Sequence, residues 1–391
     1  MITVGIDVAK SKHDCCILDS KGEILEQGIR IANSRKGFNE LIESIDHFIE
    51  DDHLVRVGLE ATGHYSEGIT FFMKAQNYDV IVFNPLAIKL AVKAQTLRKT
   101  KTDKADALVI AKVARSSSNK PLGNFENTMF ELREATRFRL RSKQHLAYLK
   151  VQLKRLNYRT FPELEGIVKN IHCKYIYALI KAFSNKEELS KAHLTKLSNV
   201  LSKASRGSHS QETALRIRDA AKSSIGIVSK SLTIETISII NQIENIQEEI
   251  NKIELYIKGI VDELDCPIMS IPGISYNLAS VIISELKDID NFQNPNQILA
   301  FAGLEPSINE SGQFVGKGKM VKRGSKNLRW ALFEAAKSVS SHCLTFGSYL
   351  NKKIKENKHY FVAISHVAKK LVRVIFHLLK TKSKFNIEFS I

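Results

Sequence analysis

Ile2-Thr3-Val4-Gly5-Ile6-Asp7-Val8 sets a carboxylate inside a short run of strand-forming residues at the head of the chain. A carboxylate among Ile and Val is costly to bury unless something binds it. A second run, Val55-Arg56-Val57-Gly58-Leu59-Glu60, ends on another acid and leads into Ala61-Thr62-Gly63. A third stretch, Lys101-Thr102-Asp103-Lys104-Ala105-Asp106-Ala107, opens a helical pattern with acids at i and i+3, which share a helix face. Thr102 suits an N-cap, and acids in a first helical turn favour the macrodipole, so local helix chemistry alone would account for Asp103 and Asp106. Glu60 alone reads as a surface residue at a strand end. Asp7 has no such reading. Two strand carboxylates and a helix pair can converge on one point, where they repel one another unless cations sit between them. All-oxygen donors suit Mg²⁺ or Mn²⁺, and a two-metal carboxylate site in a basic protein is suited to phosphodiesters.

Around these acids, residues 1–120 read as an α/β domain. Strands are expected over 2–8, 14–18 and 24–31, the last two joined by the turn Ser20-Lys21-Gly22-Glu23. A helix over 36–50 follows, with Phe38, Leu41, Ile42, Ile45, Phe48 and Ile49 at helical spacing. Then come a strand over 55–60, a helix over 67–75, a strand over 78–83 ended by Asn84-Pro85, and the helix after Thr102. Three antiparallel strands followed by helix–strand–helix–strand–helix is the element order of the ribonuclease H-like, or RuvC-like, fold. In that fold the centre of the first strand, the end of the fourth and a late helix meet at one edge, which is where the four acids fall.

Residues 121–265 read as a helical spacer. Leu140, Leu146, Leu149, Leu153 and Leu156 recur at helical spacing among many Arg and Lys residues. Ile237, Ile240, Ile243, Ile246, Ile250, Ile253, Ile257 and Ile260 follow at spacings of three and four, a coiled-coil periodicity. The two runs could pair within one chain or between chains. Residues 184–231, rich in Ser and Lys, read as a mobile helical insertion. Residues 266–391 form a mostly α third region. Ser270-Ile271-Pro272-Gly273-Ile274-Ser275 before a helix over 277–286 is the pattern of a helix-hairpin-helix-like element, which aims backbone N–H groups at a phosphate.

The formal net charge is +17, from 58 Lys and Arg against 41 Asp and Glu, which favours a polyanionic partner. No apolar stretch approaches the roughly 18–20 residues that span a bilayer, so nucleic acid is preferred over a membrane. Cys15, Cys16, Cys173, Cys266 and Cys343 are scattered, without a C-x-x-C pair, which fits a reducing cytosol and argues against zinc. With no signal-peptide pattern, the expected location is the cytoplasm of a prokaryote, associated with the nucleoid.

The second chemical centre is the glycine-rich stretch Ser311-Gly312-Gln313-Phe314-Val315-Gly316-Lys317-Gly318-Lys319, followed by Lys322, Arg323, Lys326 and Arg329. Ser311 reads either as a turn serine in a phosphate-binding basic loop or as a nucleophile toward a DNA phosphodiester, with the nearby cations stabilising the phosphate. Glycines 312, 316 and 318 let backbone approach a phosphate closely.

Taken together, Gly5-Ile6-Asp7-Val8-Ala9-Lys10, Glu60-Ala61-Thr62-Gly63, Asn84-Pro85 and Lys101-Thr102-Asp103-Lys104-Ala105-Asp106 carry a resemblance. Ser270-Ile271-Pro272-Gly273-Ile274, Ala302-Gly303-Leu304-Glu305-Pro306, Ser311-Gly312 and Leu328-Arg329 extend it. The set resembles the DEDD transposases of the insertion-sequence-110 type, to which Piv-type DNA invertases are related. The match covers residues 1–160 and 260–345, with the motifs in the family's order. The resemblance implies a RuvC-like N-terminal domain, a coiled-coil spacer and a C-terminal transposase domain with a nucleophilic serine. It implies that Asp7, Glu60, Asp103 and Asp106 are the metal-holding catalytic acids and that Ser311 is the serine. Ser307 and Ser325 lie in the same basic region, but only Ser311 is followed by glycine. The resemblance further implies donor and target DNA, a structured guide RNA that pairs with both, and a tetramer whose two domains complete composite sites across subunits. It implies nothing for residues 184–231 or for the tail after 340.

The resulting expectation is a transposase or site-specific recombinase acting through a Ser311 phosphoserine linkage. One rival is a RuvC-like nuclease that cuts branched DNA with metal-activated water. Another is a basic coiled-coil protein that binds nucleic acid without catalysis, against which the intact four acids argue. His13, His64 and His145 have no role assigned by the sequence.

Overall fold

Period-two alternation builds the first sheet of the computed structural model. The chain runs β1 (Ile2–Val8), β2 (Lys12–Leu18), β3 (Ile24–Ala32), α1 (Arg35–Asp46), β4 (Val55–Glu60), α2 (Tyr65–Ala75), β5 (Asp79–Phe83), α3 (Pro85–Gln95) and α4 (Asp103–Ser116). The strand order is β3-β2-β1-β4-β5; β1, β2 and β3 are antiparallel, while β1, β4 and β5 run parallel. Ile2, Val4, Ile6 and Val8 of β1 join Val55, Val57 and Leu59 of β4 on one face, packed on Phe38, Leu41 and Ile45 of α1 and Ile69 and Met73 of α2. The other face carries α3 and α4: Cys16 and Leu18 meet Ala107 and Ala111, and Ile81 and Phe83 meet Ile88, Ile110 and Ala114. The mixed sheet follows the expected strand order, with one unexpected helix, α3, between β5 and α4.

The structure describes residues 1–49, 54–95, 103–117, 126–209, 211–305, 310–311, 314–315 and 320–386; at 95, 103, 126, 310, 311, 314 and 315 it describes the backbone alone. They divide into two units, Met1–Glu126 and Asn127–Ile391. In the first unit, two elements differ from expectation. The helix expected over 36–50 is α1, Arg35–Asp46. Asn84-Pro85 ends β5 but also starts α3, because Pro suits a first helical position and Asn84 Oδ1 accepts from the Leu86 N–H at 2.9 Å.

The second unit is mostly helical. It continues α5 (Glu126–Thr160) through α6 (Leu164–Ile167), α7 (Lys174–Ala182), α8 (Lys186–Lys191), α9 (Leu194–Ser205), α10 (Gln211–Ser223) and α11 (Lys230–Glu263). Leu146, Leu149, Leu153 and Leu156 of α5 pack on Leu232, Ile239, Ile240, Ile243 and Ile250 of α11. The early residues Met129, Leu132 and Ala135 share a core with the late residues Ile257 and Val261, so α5 and α11 run antiparallel within one chain. Arg139 Nε donates to Glu254 across this pair at 2.8 Å.

The stretch 184–231 is not a loose insertion. Leu189, Leu197, Leu201, Ala214, Ile217 and Ala221 are buried with Phe161, Leu164, Ile176 and Leu179 in a core of their own. The Ser and Lys content hides these few apolar residues, which nevertheless recur at helical spacing.

Beyond α11, a 3-10 turn (Pro267–Ser270) leads into α12 (Tyr276–Leu286), α13 (Pro295–Ala302), the two-residue strands β6 (Glu310–Ser311) and β7 (Phe314–Val315), and then α14 (Lys326–His342), α15 (Leu344–Lys355) and α16 (Tyr360–Thr381). The apolar faces of α12, α14 and α16 form the main core. The Pro272-Gly273 turn packs on α14, with Ser338 Oγ donating to the Gly273 carbonyl at 2.6 Å. Among the described residues no helix is long and apolar enough to cross a membrane.

Candidate functional site

The pleat sorts the acids. Side chains alternate across a strand, so Asp7 projects from the face of Thr3 and Gly5, and Glu60 from that of Arg56 and Gly58. This is the face that α4 covers. Gly5 and Gly58 are neighbours in the parallel ladder. A Cβ on Gly5 would stand 2.2 Å from the Ala107 carbonyl oxygen and 2.3 Å from the Ala111 nitrogen; one on Gly58 would stand 2.5 Å from Ala114 Cβ. Two glycines side by side therefore let a helix backbone lie directly on the sheet.

The same contacts fix the direction of α4. Ser117, just past its end, accepts from Arg56 Nη1 at 3.3 Å, two residues before Gly58. The opposite end of α4, carrying Asp103 and Asp106, is therefore turned toward the ends of β1 and β4, where Asp7 and Glu60 lie. Asp7, Glu60 and Asp106 are all partly exposed. The donors are carboxylate oxygens only, which fits a hard divalent cation. Among the described side chains no three His, Cys, Asp or Glu groups are close enough to hold a metal; Asp103 contributes backbone alone. Thr102, the expected N-cap, lies outside the described residues.

One acid beside this group was missed in the sequence. Asp14 pairs with Asp7 across β1 and β2, is 3% exposed, and forms an ion pair with Arg30 at 3.0 Å. The signal was available: like Asp7, Asp14 is an acid inside an apolar strand.

The histidines separate cleanly. His13 is fully buried, stacks on Phe38 with centroids 5.9 Å apart, and accepts from the Ala9 N–H through Nδ1 at 3.3 Å. Burial holds its pKa below the usual value. It pairs with Val8, on the face opposite Asp7, and is a core residue. His64 precedes α2, is exposed and lies against Tyr65 with the two rings tilted at 48°. His145 is exposed on α5.

In the second unit, the stretch read as a glycine-rich loop contains a short hairpin, with Ser311 of β6 paired to Phe314 of β7. Lys317, Lys319, Ser307 and glycines 312, 316 and 318 lie outside the described residues. Lys322, Arg323 and Lys326 are exposed. Arg329 is tied inward, Nη1 donating to the carbonyls of Ala302 at 2.8 Å and Lys322 at 3.2 Å. Ser325 caps α14: its Oγ accepts from the Leu328 N–H at 3.1 Å and donates to Glu285 Oε2 at 2.8 Å. Glu285 also receives Arg137 Nε at 2.8 Å and Asn327 Nδ2 at 3.3 Å. Burial pushes Glu285 up, but these bonds outweigh it and hold the carboxyl below its usual range. This hub, which the sequence does not announce, fixes the start of α14 to α5 and α12.

Two family profiles match the chain: DEDD transposase of the IS110 type over residues 4–162, and "Transposase IS116/IS110/IS902 family" over residues 266–351. The chain is 23% identical to the "Pilin gene-inverting protein" of Moraxella lacunata, over 98% of this chain and 97% of that protein. It is 23% identical to the "Insertion element IS116 uncharacterized 44.8 kDa protein" of Streptomyces clavuligerus, over 98% and 96% of the two chains. Among solved structures, Thermus thermophilus RuvC aligns over 31% of this chain and 100% of its own at 17% identity, with a TM-score of 0.24.

Proposed function

The chain belongs to the DEDD transposases of the insertion-sequence-110 type, enzymes that cleave and rejoin DNA, and on that premise we propose that it recombines DNA through a serine–phosphate linkage at Ser311. Asp7, Glu60, Asp103 and Asp106 would hold Mg²⁺ or Mn²⁺, which when bound neutralises charge on the phosphate under attack. Ser311 Oγ forms a bond to phosphorus as one P–O bond of the DNA backbone breaks, and the serine proton ends on the departing sugar hydroxyl. A hydroxyl of the partner strand then attacks the same phosphorus, releasing Ser311 and resealing the DNA without loss of a phosphodiester. Lys317, Lys319, Lys322, Arg323 and Lys326 grip backbone phosphates, so binding weakens as salt rises. Arg329 supports the same loop from within.

The remaining parts of the reading are a RuvC-like domain over 1–120, a coiled-coil spacer over 121–265, and a transposase domain over 266–391. The Pro272-Gly273 element is read as helix-hairpin-helix-like. A structured guide RNA and assembly from dimer to tetramer on DNA complete it. The observation that carries the reading is the seat of α4 on Gly5 and Gly58, which turns its acidic first turn toward Asp7 and Glu60. Ser325 is a poor rival to Ser311, because its hydroxyl already caps a helix and donates to Glu285, which is itself held by Arg137 and Asn327. Strand exchange on element-end DNA tests this. Ser311→Ala and Asp7→Ala should each abolish it. Exchange retained by Ser311→Ala would leave water attack, the nuclease reading, in its place.

A further inference from the structure

The outer face of α5 carries an exposed stripe of aromatic and cationic side chains. Leu146, Leu149, Leu153 and Leu156 turn toward α11. Arg141, Gln144, Tyr148, Val151, Arg155 and Tyr158 recur at alternating steps of three and four, which keeps them on one face, opposite those leucines. Tyr148 is 60% exposed, Val151 65% and Tyr158 74%. Arg141, Arg155 and the adjoining Arg159 are exposed as well. His145 adds a ring at the edge, its centroid 6.5 Å from that of Tyr148. No acid occurs from Ala135 to Thr160. Acids of other elements reach α5 before the stripe or beside it: Glu285 binds Arg137, Glu254 binds Arg139 and Lys143, and Glu165 binds Lys154. Arg141, Arg155 and Arg159 form no ion pair among the described residues.

Exposed tyrosines between arginines suit a partner that offers both flat apolar surface and negative charge. An unpaired polynucleotide strand offers both, since its bases stack on aromatic rings while its phosphates meet arginine. A base-paired duplex hides the faces of its bases. A second copy of α5 fits poorly. The spacing is that of a coiled-coil seam, but two such faces laid together set arginine against arginine with no acid to offset them. In the proposed reaction the DNA is duplex, whereas a structured RNA presents unpaired loops. We propose that the outer face of α5 is a stacking platform for an unpaired segment of RNA. Its bases lie on Tyr148 and Tyr158, about 15 Å apart along the helix, and its phosphates on Arg141, Arg155 and Arg159. The inference rests on the proposed guide RNA and gives it a surface with no part in the proposed chemistry.

The test is fluorescence anisotropy of the full chain with a labelled oligouridylate. Tyr148→Ala with Tyr158→Ala should weaken binding about tenfold or more, given the strength of base–aromatic stacking. Tyr148→Phe with Tyr158→Phe should stay within about threefold of the parent, because stacking needs the ring and not the hydroxyl. Arg141→Gln, Arg155→Gln and Arg159→Gln together should lower the slope of log affinity against log salt by about 2, near 0.7 for each phosphate. The alanine pair should leave that slope, and the affinity for duplex RNA of the same length, as they are. The arginine arm stands even if the alanine pair fails to fold. An unchanged salt slope in the arginine variant, or equal losses in the alanine and phenylalanine pairs, would overturn the inference. So would oligothymidylate bound as tightly or more so through the same tyrosines, which would assign the face to a DNA strand. A dimer that the alanine pair turns into monomers with RNA affinity intact would make the face a contact between copies instead. If the parent binds neither oligouridylate nor the proposed guide RNA, the guide-RNA reading itself fails. If it binds RNA and the alanine pair binds it equally well, only the platform fails.

Discussion

Gly5 of β1 stands beside Gly58 of β4, and the backbone of α4 lies across both, with the Ala107 carbonyl oxygen 2.2 Å from where a Gly5 Cβ would be. No side chain fits that gap without moving the helix that carries Asp103 and Asp106. Gly5→Ala is therefore expected to cost about 2–4 kcal/mol in stability through overpacking against backbone. It should also reduce metal-dependent DNA cleavage out of proportion to the folded fraction. Thermal unfolding beside cleavage rate checks both. A folded Gly5→Ala with full activity would show that the seat of α4 does not set the acids.

The Glu285 hub makes a stability prediction. Arg137→Ala leaves a carboxylate with 3% side-chain exposure short of its charged partner. The expected loss is about 2–4 kcal/mol, below the value for a fully enclosed pair because Arg137 is partly exposed. Arg137→Ala combined with Glu285→Leu should recover much of it. Urea unfolding of the second unit measures the cycle, and equal losses in single and double variants would argue against a charge effect.

His13 makes a pH prediction. Its folded pKa lies below the usual 6.5 because it is buried. The unfolded chain therefore binds the proton first, so this contribution is fully present above that value and is lost as pH falls below it. The penalty of His13→Leu should be smaller at pH 5.5 than at pH 7.5. The same penalty at both pH values would mean that His13 does not titrate differently on folding.

Exposed Lys322, Arg323 and Lys326 predict a salt effect. Replacing all three with Ala should lower the slope of log affinity for duplex DNA against log salt by about 2–3, near 0.9 for each phosphate no longer neutralised. Fluorescence anisotropy across a salt series measures it, and an unchanged slope would place the DNA elsewhere.

The strands of the first unit and most of its helices were legible because buried strands and amphipathic helices leave strong periodicities in sequence. What stayed hidden was pairing. Asp14 and Arg30 are 16 residues apart and meet only through strand register. Arg137 and Glu285 are 148 apart and meet through helix packing. The insert around Leu197, Leu201 and Ile217 escaped because its small core is diluted by Ser and Lys. α3 escaped because Asn84-Pro85 is both a strand stop and a helix start.

Trapping the serine–phosphate linkage decides between attack by Ser311 and attack by water. The full chain would be incubated with Mg²⁺, element-end DNA and the proposed guide RNA, denatured, and searched for protein-linked DNA. A protease-sensitive adduct whose peptide maps to Ser311, and which is absent in Asp7→Ala, is the predicted result. Cleaved DNA ends free of protein, with Ser311→Ala as active as the parent, would contradict it.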